Sequence, residues 1–152
     1  MKRYAFIALL FSSVLWGQTS SDPREMFVEA ESYLLYEEYE EALPIYLKLL
    51  KADPTNDNLN FKVGLCYLNI PYEKEKAVFY LEKAAKNISE NYKMSSFKER
   101  QAPLDALFYL GNAYRVNNQL DKALEAYQEF KKRSDPAVYD MEIVEEQIAT
   151  VE

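Results

Sequence analysis

Three tyrosines, Tyr33, Tyr67 and Tyr114, recur at separations of 34 and 47 residues. Phe27, Phe61 and Phe108 keep the same two separations, as do the small residues Ala30, Gly64 and Gly111. A second set is offset by one. Ala42, Ala77 and Ala123 are separated by 35 and 46, and so are Tyr46, Leu81 and Tyr127. The mismatch places one extra residue near Asn69–Tyr72, where Pro71 marks a turn, and twelve more between the second and third units. A period of about 34 residues with two internally rigid halves constrains the chain to a stack of two-part units. Each unit buries its apolar face only against its neighbours.

The halves read as helices. Leu, Ala, Glu, Lys and Tyr fill long stretches, and no stretch alternates apolar and polar residues as a sheet would. Beyond Gly17, the glycines are Gly64 and Gly111, and both occupy one site of the repeat. A glycine inside a helix costs about 1 kcal/mol against alanine, so a close approach of the second helix is the expected reason. The recurring tyrosines are expected to fill the space between units. If the second helix of the first unit starts near Glu40, Pro44 falls in its first turn, where it is tolerated. Asp-Pro at 53–54 and 135–136 closes helices.

These features resemble the tetratricopeptide repeat family. The strings are AESYLLYEEYEEALPIYLKLLKADP, VGLCYLN with EKAVFYLEKAAK, and ALFYLGNAYRVNNQLDKALEAYQEF. The middle unit resembles the Sel1-like variant in its longer turn and YLEKAAK. The resemblance implies an all-α, right-handed superhelix of antiparallel helix pairs, with repeats at about 23–56, 57–88 and 104–136. An insertion is expected at 89–103. A capping helix is expected at 137–151, where Val138, Met141, Val144, Ile148 and Val151 give one apolar face. In the 87–102 stretch, Tyr92 and Phe97 are expected to tuck against neighbouring helices, either as ornament or as a partner-contacting loop.

Family geometry also implies a binding face. The first helices of such repeats line a groove that holds a peptide. Phe27, Phe61 and Phe108 share a groove register there, followed by Glu31, Leu65 and Asn112, then by Leu34, Leu68 and Arg115. Phenylalanines lining an open trough would be hot spots for a partner segment. Alternatively they are packed, under the insertion or the C-terminal helix.

Catalysis finds little footing. There is no histidine, which removes His-based acid–base chemistry, Ser–His triads and His metal sites. The lone Cys66 allows no intramolecular disulfide and reads as a small buried hydrophobe. Glu37, Glu38, Glu40 and Glu41 lie beside a helix start, where carboxylates are favoured electrostatically. Asp53, Asn56 and Asp57 lack the spacing and closing Glu of a calcium loop. The expectation is a non-enzyme with no cofactor and no metal.

Lys2 and Arg3, an uncharged run over Tyr4–Trp16, and the small Gly17 read as a signal peptide over 1–17, with 18–22 a short linker. The 13-residue run is short for a membrane span, which needs about 20 residues. Without Lys2 and Arg3, the 18 basic residues fall to 16 against 25 acidic, a net charge of −9. Such a surface repels nucleic acid and gives an anionic lipid face nothing to hold. Membrane association is therefore expected only through protein partners.

The chain also resembles the N-terminal part of exported Bacteroidetes-type envelope proteins. In those, repeats precede a β-propeller and an outer-membrane-protein-A-like domain. The resemblance implies a periplasmic, outer-membrane-associated or secreted scaffold that binds a protein or peptide. The alternative is a structural platform or oligomerisation module of a larger peptidoglycan-associated protein.

Overall fold

The computed structural model describes residues 22–152. The proposed signal peptide lies outside them. Seven α-helices follow in order: α1 (Pro23–Leu35), α2 (Tyr39–Ala52), α3 (Asp57–Asn69), α4 (Ala77–Ala84), α5 (Asp105–Val116), α6 (Leu120–Arg133) and α7 (Met141–Ala149). A 3₁₀ turn, Lys74–Lys76, precedes α4 and takes up the extra residue of the middle unit. The chief packings are α1 on α2, α3 on α4 and α5 on α6, joined by α2 on α3 and α4 on α5. This is a stack of helix pairs, an all-α repeat superhelix.

Local chemistry sets the boundaries. Asp22 caps α1 by accepting from the Arg24 amide, and Pro23 takes the first helical position, where no partner is needed. Asn56 caps α3 by accepting from the Leu59 amide at 3.0 Å. Pro44 is the exception to the expected pattern. It is the sixth residue of α2 and thus lies past the first turn. Both Pro44 and Glu40 are exposed, so water can take the carbonyl that the ring leaves without a donor.

The small-residue site does what the repeat spacing implies. A Cβ on Gly64 would stand 2.6 Å from Leu81 Cγ, and one on Gly111 would stand 2.4 Å from Tyr127 Cε1. Leu81 and Tyr127 are the equivalent second-helix residues of their units. Ala42, Ala77 and Ala123 are completely buried. Tyr114 ties units together, since its hydroxyl donates to Glu82 Oε1 at 2.6 Å.

The last helix is shorter than the expected 137–151. Asp135 accepts from the Ala137, Val138 and Tyr139 amides, holding those residues in a turn. Asp140 then caps α7 through the Glu142 amide. Val144 is buried with Leu107 and Phe130, so α7 closes the third unit.

Candidate functional site

The first-helix face carries all nine residues expected to line a groove, yet its two halves differ. On α1 and α3, Phe27 is 2% and Phe61 6% exposed, and Leu68 is also buried. Glu31, Leu34 and Leu65 are half-buried. On α5, Phe108 and Asn112 are half-buried and Arg115 is exposed.

The cover is the chain's own insertion. Residues 89–101 leave α4, cross the face and return as a strap. Phe97 packs edge-on against Phe27 at 5.8 Å between centroids. The Tyr92 hydroxyl donates to Asn58 Oδ1 at 2.7 Å. The Ser95 hydroxyl donates to Glu31 Oε2 at 2.9 Å. On the return, the Arg100 carbonyl accepts from the Asp57 and Asn58 amides at 2.9 and 3.1 Å. Its guanidinium pairs with Asp53. This supplies the first amides of α3 with an acceptor they would otherwise lack.

An open trough lined by three phenylalanines is therefore absent. Phe27 meets Phe97 and Tyr46, and Phe61 meets Tyr109 at 6.0 Å. Only Phe108 keeps an accessible side, although it also touches Tyr109, Tyr127 and Phe130. Phe97 of the strap covers the Phe27 ring, which removes water from both surfaces. A cavity of about 390 Å³ persists beneath the strap, between Phe27, Leu49, Leu59 and Phe97.

Polar groups on the covered half form one network. Lys62 Nζ pairs with Glu31 Oε1 at 2.9 Å, and its side chain is only 4% exposed. Tyr46 donates to the same carboxylate at 2.5 Å. Burial and the neighbouring Glu31 charge push the Tyr46 phenol far above its usual value, so it stays a donor. The third unit repeats this bond in neutral form. Tyr127 donates to Asn112 Oδ1 at 2.7 Å, from the equivalent position to the equivalent position. In the middle unit both positions are leucine, Leu65 and Leu81.

Asn58, Lys62, Tyr92 and Ser95 were not among the expected site residues. Their signal was faint: Asn58 and Lys62 lie within a turn of Phe61, but Asp57 and Asn60 make the whole start of that helix polar. Cys66 is fully buried, and burial pushes its thiol up to about 12, which leaves it unreactive. Asp53, Asn56 and Asp57 serve as helix caps and strap anchors. Among the described residues no group of three or more Cys, Asp or Glu side chains is placed to hold a metal ion.

Residues 104–134 match the family described as Tetratricopeptide repeat. The fold is that of a tetratricopeptide-repeat domain. A solved structure of the first TPR domain of the human RPAP3 protein superimposes with a TM-score of 0.58, at 19% identity, over 85% of this chain and 94% of that one. No curated protein matches the chain. The family match covers the third unit, α5 and α6, while the structural likeness extends across the stack. Such repeats serve as protein-binding scaffolds.

Proposed function

We propose that this chain is a non-catalytic interaction scaffold of the bacterial envelope that takes a partner segment on the open, C-terminal half of its first-helix face. Phe108, Asn112 and Arg115 are the contact residues of that half. The observation carrying this reading is the uneven cover. The strap fills the face over α1 and α3 and stops short of the C-terminal part of α5. Phe27, Glu31, Leu34, Phe61, Leu65 and Leu68 then support the fold, or hold the strap, more than they touch a partner. The apolar run at 4–16 and the acidic balance of the chain support an exported, protein-binding role.

A photo-crosslinking residue placed at Arg115 in the native host tests this. Adducts are expected at Arg115 and absent at Lys48, an exposed position on the second-helix side. Equal adducts at both positions, or none at Arg115, would overturn the reading.

A further inference from the structure

Asp105, Phe108 and Tyr109 stand three and four residues apart, so they share one face of α5. Opposite them, the start of α7 presents Tyr139, Asp140 and Ile143. Between the two lies a cup of about 170 Å³ with Phe130 and Val144 at its base. Its rings are fixed by packing: Phe130 meets Tyr139 edge-on at 5.0 Å, and Phe108 meets Tyr109 at 5.9 Å. Two carboxylates border it, and no lysine or arginine pairs with either among the described residues. Besides a hydrogen bond from its own backbone amide, the Asp105 carboxylate has a long contact, 3.5 Å, from the Tyr139 hydroxyl. Arg133 borders an adjoining cavity of about 590 Å³ beyond Asp105 and Tyr139 without forming an ion pair with Asp105.

Resting on the protein-binding reading above, we infer that this cup takes a cationic side chain, lysine or arginine, of the partner segment. Ring faces attract a cation through their quadrupoles, and the carboxylates supply charge-assisted acceptors. An aliphatic side chain would fill the volume but would strip water from Asp105 and return no hydrogen bond. An acidic one would meet two like charges. Burial already raises the Asp105 carboxyl above its ordinary value, as expected of a carboxylate short of both solvent and counter-ion.

The probes are three capped pentapeptides, Gly-Leu-Xaa-Leu-Gly, with lysine, norleucine or glutamate at Xaa, titrated into the isotope-labelled protein and followed by amide NMR. The lysine peptide is expected to bind about tenfold more tightly than the norleucine peptide at low salt. Its shifts should centre on Asp105, Phe108, Tyr109 and Asp140. Asp105→Asn and Asp140→Asn should each erase most of that preference. Asparagine keeps the shape of both side chains and still caps α7 at 140, so both variants are expected to fold. Equal binding of lysine and norleucine peptides, shifts centred elsewhere, or a preference that survives both substitutions would overturn the inference. Arg115 crosslinks with no lysine preference would leave the scaffold reading standing and this inference fallen. Lysine binding at the cup with no Arg115 crosslinks would do the reverse.

Discussion

The α1–α3 and α5–α7 halves of one face start from the same register and end in different states. Ten of the thirteen α3 residues are buried, Asn58, Asn60 and Lys62 among them, because helices flank α3 and the strap crosses it. In α5 six of twelve are buried, and Phe108, Tyr109 and Asn112 keep an accessible side. The same phenylalanine is a core residue at 61 and a half-open one at 108. Register alone therefore does not decide how open a repeat residue is. What packs over it does: the strap's Phe97 at Phe27, and Tyr109 of α5 at Phe61.

The comparison is most sharply tested at Glu31. Glu31→Ala leaves the Lys62 ammonium buried without its partner and should cost about 3–5 kcal/mol in a denaturant melt. A loss under about 1 kcal/mol would mean that the covered half is wetter than described. Next, Phe61→Ala should destabilise by about 3–5 kcal/mol, and Phe108→Ala by less, about 1–3 kcal/mol. Equal losses would erase the distinction between the halves.

Between the glycines, Gly111→Ala should be the worse substitution, by about 1–3 kcal/mol. A new methyl at 64 meets the Leu81 side chain, which has more rotamer freedom than a ring, although the Leu81 backbone nitrogen stands at 3.3 Å. The Tyr127 ring faces the methyl at 111 and is also tethered to Asn112. Calorimetry on the two variants would show the order directly.

The strap's anchor should also be visible in acid. Hydrogen bonding from Arg100 holds the Asp53 carboxyl below its ordinary value of 3.8. A depressed carboxyl adds stability that is complete above the ordinary value and fades as pH falls through the lower folded one. Arg100→Gln should therefore lower stability modestly at neutral pH and make no difference in strong acid, so that its curve and the wild-type curve converge as pH falls. Smallest of all, Arg115→Ala should cost about 0.5–1 kcal/mol, since Arg115 is exposed but its guanidinium reaches the Tyr127 hydroxyl.

Much of the fold was legible because repeats leave a numerical trace. The 34-residue spacing of Phe27 and Phe61, and the shared site of Gly64 and Gly111, placed the helix pairs and their close contacts. The longer middle turn was legible from a one-residue discrepancy. Pro44 was misplaced, because nothing local distinguishes a solvent-facing helix interior from a first turn. The length of α7 was also missed, since an apolar stripe does not reveal that Asp135 and Asp140 delay the helix start. The site was harder to read. Periodicity reports which residues share a face, but the strap has no period. Its contacts pair residues far apart in sequence, such as Ser95 with Glu31 and Phe97 with Phe27. Tyr92 and Phe97 announced by their apolar character that they would find cover, without saying where.

The ends of the strap are clipped together. Ile88 and Ala102 form a parallel bridge, with the Ser89 amide donating to the Ala102 carbonyl at 2.8 Å and the Ala102 amide to the Asn87 carbonyl at 3.0 Å. The clip encloses residues 89–101, close to the twelve extra residues that separate the second unit from the third. The solenoid thus runs through the clip as if the enclosed segment were absent, and α4 meets α5 across it. In engineering terms the strap is a cassette. The clip sets how α5 follows α4, while the side chains within it set what covers α1 and α3.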